Sequence, residues 1–267
     1  MTDPEVLDPL VSELIAALVA DMPELERFLD QYPVSTPEER RIAMRVLMNV
    51  RPAAPLPAEL LAIQDQILAA EAANRQVIDV GGLPGTEVDD RLAVVRADII
   101  TLRADAIVNA GNTSLIGCTA PLHACVDNAI HSAAGLQLRE ECAAIMEKRG
   151  LPERTGTATV TAAYNLPAAH VIHTVGPIVT GRVEPEQREL LASCYRSCLE
   201  AASERGFTTI AFPSISTGVF GYPAQAAAHL AVETVLDTLP ACPTIEKVAF
   251  CVFHPDDEDR FNKILAG

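Results

Sequence analysis

From Asp90 onward the chain alternates short β-branched runs with longer amphipathic stretches, and this alternation limits the possible fold more than any other feature. Residues 92–96, 106–109, 158–161, 171–174, 209–212 and 248–253 have strand character, being rich in Val, Ile, Thr and Phe. Residues 127–148, 186–205, 224–239 and 256–265 instead carry apolar side chains at helical spacing. Most of the strands are separated by helix-length segments, which argues against hairpins. The expected architecture is a mostly parallel or mixed sheet with helices on both faces. In such folds ligands sit beyond the carboxyl ends of the strands. A site is therefore expected in the loops after residues 109 and 212.

The first third of the chain differs. Residues 1–90 carry a net charge of −11, against −5 for the remainder. Leu10, Leu14, Ala17 and Leu18 recur at spacings of three and four, as do Ile42, Val46 and Leu47. Pro33 and Pro37 separate these two helices, and Pro52, Pro55 and Pro57 precede a third at about 59–73. Gly81-Gly82-Leu83-Pro84-Gly85 reads as a linker. The expected division is a helical extension over 1–85 followed by an α/β domain over 86–267.

Charge and composition then narrow the partners. A formal charge of −16 has the wrong sign for neutralising a phosphate backbone. Only 4% of residues are aromatic and Trp is absent, which leaves little to stack nucleic-acid bases on. The apolar stretch 10–20 follows acidic residues rather than a basic segment, and no apolar run approaches the roughly 20 residues that span a bilayer. Seven scattered cysteines, an odd number, read as thiols or metal ligands rather than a disulfide framework. A cytoplasmic protein without nucleic-acid or membrane partners is expected.

Two loops carry chemistry. Residues 117–125 place Cys118, His123 and Cys125 within eight positions, between a strand and a helix. Zinc favours such N and S donors, and three protein ligands leave a coordination position open, as catalytic sites do. Two small buried cysteines beside a hydrogen-bonded histidine would explain the same residues. Residues 214–223 run from a strand into a helix. Gly218 and Gly221 there allow close backbone approach, and the amides suit a diphosphate. An ordinary strand-to-helix turn explains this segment equally well. Asp98 reads either as an acceptor for an exocyclic amine or as a turn residue. Asn109 and Asn112 flank Gly111 in a polar turn, Asp127 suits a helix cap, and His131, His170 and His173 read as structural. No G-x-S-x-G, HExxH or paired CxxC motif occurs.

In combination these segments resemble the macrodomain family. Asp98-Ile99, Ala106-Ile107-Val108-Asn109-Ala110-Gly111-Asn112, Val126-Asp127-Asn128-Ala129-Ile130-His131, Val171-Ile172-His173-Thr174-Val175-Gly176-Pro177 and residues 214–223 follow the macrodomain order. The resemblance spans about residues 88–267. The insertion bearing Cys118, His123 and Cys125 resembles the zinc-dependent branch, and so do Met48-Asn49-Val50-Arg51-Pro52 and Gln64-Asp65 in its N-terminal extension. Departures are small: Gly111 and Thr113 stand where Ala and Ser are usual, and Ala53 where a second Pro is common. The resemblance implies a three-layer α/β/α macrodomain with a mixed central sheet. It also implies hydrolytic removal of mono-ADP-ribose from protein side chains, with one zinc per chain held by Cys118, His123 and Cys125. Asp98 would take the adenine amine, Ile99 and Phe253 would border it, and Ser216, Thr217, Gly218, Val219 and Phe220 would hold the phosphates. Asn112 and Asp127, with Tyr222 a weaker candidate, would lie at the distal ribose. A lipoyl-carrier target of a sirtuin-like ADP-ribosyltransferase is a further implied partner. A non-catalytic ADP-ribose reader with structural zinc, or a hydrolase of a small ADP-ribose derivative, is the alternative.

Overall fold

A computed structural model describes residues 4–266. The N-terminal region forms three helices: α1 (Pro4–Asp21), α2 (Pro37–Val50) and α3 (Ala58–Ala73). Helix α2 begins with a reciprocal capping box, in which Thr36 Oγ1 accepts from the Glu39 amide and the Glu39 carboxylate accepts from the Thr36 amide. Val11, Leu14, Leu18, Leu47 and Ile67 close a separate apolar cluster, to which Leu136 from the following domain contributes.

The glycine-rich segment after α3 is no free tether. Strand β1 (Ile78–Asp79) pairs in parallel with β3 (Leu102–Arg103), a two-residue ladder too short to carry a sequence signal. Val80 is fully buried beneath the larger sheet.

That sheet contains β2 (Leu92–Arg96), β4 (Ala106–Ala110), β5 (Ala158–Ala162), β6 (His170–Thr174), β7 (Thr209–Phe212) and β8 (Lys247–Val252). The strand order is β2-β8-β7-β4-β6-β5, and only β5 runs antiparallel to its neighbour. Period-two alternation divides the strand residues between two cores. Ala106, Val108, Ile210, Phe212, Val248 and Phe250 face α6 (Pro185–Ser203), α7 (Ala224–Thr238) and α8 (Pro255–Leu265). Ile107, Ala211, Ala249 and Cys251 face α4 (Val126–Ala134) and α5 (Leu136–Arg149). Burying a residue such as Phe212 or Phe250 contributes about 1.5–3 kcal/mol. The expected mixed sheet with helices on both faces is what the chain forms.

One helix departs from expectation. The stretch read as a single helix over 127–148 is broken at Gly135, where φ is +101°. Gln64 of α3 inserts there, and its Oε1 accepts the Leu136 amide at 2.9 Å, capping α5 from outside. A Cβ on residue 135 would lie 2.5 Å from Gln64 Nε2, so glycine permits both the backbone angle and the approach. Among the described residues, no helix is long and apolar enough to cross a membrane.

Candidate functional site

Five parallel strands end at one edge of the sheet, and the loops that follow them form the site. After β7, Ser216 takes a left-handed φ of +65° and is 6% exposed. It presses against Gly176 in the loop after β6, where a Cβ would fall only 2.0 Å from Ser216 Oγ. The two loops also bond directly, Val179 N donating to Phe220 O at 2.8 Å. The turn closes on itself as Tyr222 N donates to Ser216 O and Gly221 N to Gly218 O. Among the described residues no acceptor faces the amides of Gly218, Val219 and Phe220, and Gly218 and Val219 are exposed. Such a group of free amides binds anions without basic side chains. Tyr222 itself is 3% exposed and packs into the core with α6 and α7, beneath the turn.

At the far end of the same edge, Asp98 follows β2 and caps the turn 99–101, its Oδ1 accepting the Ile100 amide at 3.2 Å. Among the described residues no donor is bonded to the other carboxylate oxygen, so capping the turn does not occupy the whole carboxylate. Ile99 is buried beside it. Phe253, just beyond β8, is 68% exposed, an unusual position for a phenyl ring that has only an edge contact to His254.

The loop after β4 brings Cys118, His123 and Cys125 together, their donor atoms all lying within 4.8 Å of one another. Cys118 Sγ is 3.6 Å from His123 Nδ1. Tetrahedral zinc with bonds of 2.0–2.3 Å separates its ligand atoms by about 3.5 Å, so the donor set fits in both chemistry and spacing. His123 is exposed, which leaves one side of the trio open. Cys125 doubles as the N-cap of α4, its Sγ accepting the Asn128 amide at 3.4 Å. Burial, together with the neighbouring Cys118 and Asp127, pushes the Cys125 thiol up to about 11. Bound divalent charge would reverse that balance and ionise both thiols.

Asp127 lies in the first turn of α4, 6% exposed, and is not the cap. Asn109 Nδ2 donates to its Oδ1 at 2.8 Å, and Asn112 Nδ2 reaches Oδ2 at 3.5 Å and Gly117 O at 3.1 Å. Asn112 therefore touches both the carboxylate and the loop that carries the Cys-His-Cys trio. Burial raises Asp127 to about 6, with the Asn109 bond and the Arg139 charge opposing. His131 Nε2 is 3.6 Å from the same carboxylate, yet burial holds that ring neutral. Gly117, at φ +83°, lies flat on His131, and a Cβ there would be 2.7 Å from the imidazole.

Several of these residues were misread or invisible in the sequence. Asn109 serves no conformational purpose in a turn. It is fully buried in β4 and bridges Asp127 to His173 Nδ1 at 3.1 Å, while Thr161 Oγ1 meets His173 Nε2 at 3.0 Å. Its signal was available: Asn109 follows Ile107 at period two, a polar residue on a core face. His131, Cys142 and His173 also bring donor atoms within 4.8 Å. Unlike the exposed trio, they are fully enclosed. Burial drives His173 down to about 3 and Cys142 strongly up, and His173 already uses both nitrogens, whereas both nitrogens of the buried His131 lack a hydrogen-bond partner among the described residues. Arg139 was not singled out either. Only 3% exposed, it donates to Ile116 O, Met48 O and Arg51 O at 2.8, 2.9 and 2.6 Å.

Free amides, a buried carboxylate and a Cys-His-Cys trio thus gather beyond the carboxyl ends of the strands in an α/β/α layered domain, where open α/β sheets hold their ligands. Residues 108–231 match the model of the Macro domain family. A protein-ADP-ribose hydrolase of Treponema medium is 47% identical over 234 residues, 86% of this chain and 88% of that protein. A Trypanosoma brucei macrodomain in complex with ADP-ribose superposes with a TM-score of 0.64 at 28% identity, covering 87% of this chain and 97% of that one. An Oceanobacillus iheyensis macrodomain variant with ADPR gives a TM-score of 0.61 at 38% identity, over 67% of this chain and 94% of that one. The chain belongs to the macrodomain family.

Proposed function

We propose that this protein is a zinc-dependent hydrolase that removes mono-ADP-ribose from protein side chains. The observation that carries the reading is Asn112, which bonds the Gly117 carbonyl of the Cys118–His123–Cys125 loop and reaches the buried carboxylate of Asp127. Metal donors, an amide and a base are thus coupled in one place. Relatives that are protein-ADP-ribose hydrolases along most of this chain support the reaction class.

Asp98 accepts the adenine amine, with Ile99 and Phe253 bordering the base. The amides of Gly218, Val219 and Phe220, on a turn begun by Ser216 and Thr217, hold the diphosphate. Tyr222 contributes from below by fixing Ser216 rather than by touching the sugar. Asn112 orients the distal ribose, and Asp127 takes a proton from a water or a ribose hydroxyl. Cys118, His123 and Cys125 would hold zinc, which would supply a Lewis acid at that end of the site. The separate apolar cluster of α1–α3 supports a helical extension over 1–85 ahead of a macrodomain over 86–267, although residues 78–83 already pack against the sheet domain. Seven free thiols support a cytoplasmic setting.

The test is elemental analysis of protein purified without added metal, alongside release of ADP-ribose from a modified protein. About one zinc per chain is expected. Cys125→Ala should lose the metal and slow hydrolysis at least about 10²-fold. Affinity for free ADP-ribose should fall less than about tenfold, because the adenine and phosphate contacts lie elsewhere. A folded, zinc-free variant turning over at the parent rate removes the metal from the reaction.

A further inference from the structure

Asn49 stands in the last turn of α2, outside the residues matched by the family model, and is 1% exposed. Its amide oxygen receives two donors at 3.1 Å each, the backbone N–H of Leu122 and the side-chain Nδ2 of Asn128. Its own Nδ2 donates to Ser132 Oγ at 3.0 Å. Asn128 Nδ2 also reaches Ala120 O at 3.1 Å and Cys118 O at 3.5 Å. One side chain from the extension is therefore bonded, directly and through Asn128, to three points of the loop that carries Cys118, His123 and Cys125.

The Leu122 bond matters most. Leu122 has a φ of +54°, a left-handed conformation disfavoured for a leucine, and immediately precedes His123. The loop's own bonds across this stretch are short-range, from His123 N to Ala120 O and from Cys125 N to His123 O. They close small turns without tying the loop to the rest of the molecule. A donor loop that must be ordered on binding pays conformational entropy at that moment, whereas a pre-ordered one does not.

We propose that Asn49 is a positioning residue for the metal-ligand loop, so that α2 sets the metal affinity of a site on a different part of the fold. This rests on the zinc reading above. A macrodomain can be built without a third of this chain, since two-thirds of it covers almost the whole Oceanobacillus protein. The extension is thus not needed to close the sheet, and its contact with the donor loop assigns it a task at the site.

The full chain supplies the test, with zinc affinity measured by competition against a chromogenic chelator and ADP used as the probe of the nucleotide end. Asn49→Ala should weaken zinc at least about tenfold while ADP affinity stays within about twofold. Asn49→Asp keeps an acceptor for Leu122 N and should hold zinc within about threefold of the parent, and so should Ser132→Ala, which removes the partner of Asn49 Nδ2 and a 3.3 Å bond to Asn128 Oδ1 but leaves both bonds to Asn49 Oδ1 in place. Folded Asn49→Ala with parental zinc affinity overturns the proposal. So does Ser132→Ala weakening zinc as much as Asn49→Ala, because general docking of α2 would then be responsible. Should Asn49→Ala fail to fold, hydrogen exchange in the parent decides: the Leu122 amide must be protected although its residue is exposed, and exchange as fast as that of Ala124 overturns the tether. A parent chain that binds no zinc overturns the proposed function together with this inference. Zinc held equally by the parent and Asn49→Ala overturns the inference alone.

Discussion

Asp98 shows how one carboxylate holds a turn and remains available to a ligand. One oxygen caps the Ile100 amide, and no donor among the described residues is bonded to the other. With a charged acceptor facing a buried amine, Asp98→Ala should weaken ADP-ribose binding by about 1–3 kcal/mol, read by calorimetry. Asp98→Asn retains an oxygen for the turn and separates the two tasks. It should melt close to the parent while still losing affinity. An affinity unchanged in both variants would leave Asp98 with the turn alone. Asp127 is the complementary case. Asn109, Asn112 and the neutral ring of His131 surround it, and burial outweighs the Asn109 bond and the Arg139 charge, so its ordinary acidity is lost.

At the scale of elements, the break between α4 and α5 carries the most consequence. An uninterrupted helix would deny Gln64 its place over the Leu136 amide, and with it the contacts from Gln64 Nε2 to Gln137 Oε1 at 2.7 Å and from Gln137 and Asn165 to Asp65 Oδ1 at 2.8 and 2.7 Å. Gly135→Ala combines a left-handed backbone angle with a 2.5 Å clash. It should cost about 1–3 kcal/mol or more in urea-unfolding free energy. A parental midpoint would mean that α3 is free to move away from this junction. The same junction explains why the extension reaches the site at all: α3 docks at Gly135, and that leaves α2 lying along α4.

On the scale of the whole molecule, the two regions are stitched by buried polar groups rather than by a large shared apolar face. Arg139 of α5 takes the Met48 and Arg51 carbonyls from the end of α2 together with Ile116 O from the donor loop. Asn49 reaches Ser132, Asn128 and Leu122. Separating the regions would exchange these bonds for bonds to water, at a net cost of about 0.5–1.5 kcal/mol each and more for those from the charged Arg139. A single cooperative unfolding transition is therefore expected, with the far-ultraviolet helix signal and a probe placed in the sheet domain giving coincident denaturation curves. Two resolved transitions would show that the extension folds as an independent unit.

What the sequence alone determined was periodic or local. The strand and helix alternation specified the layered sheet, because side-chain period follows directly from backbone geometry. The compact group Cys118, His123 and Cys125 was legible because its three donors share one loop. Asp98 and Asn112 follow strands closely in sequence and Asp127 lies in the first turn of the helix after β4, so the segments they occupy were legible from strand order. Tertiary structure decided the rest. Asn49 and Leu122 are separated by 73 residues, and Arg139 and Met48 by 91, so no local pattern joins them. Gln64 interrupts a helix whose own sequence pattern continues past Gly135. Asn109 became a hydrogen-bond partner of Asp127 only when β4 set its odd-numbered face beneath α4. Hydrogen bonds between distant segments depend on where whole elements settle, and that is fixed by the packing of their apolar faces, not by the polar residues those faces bring together.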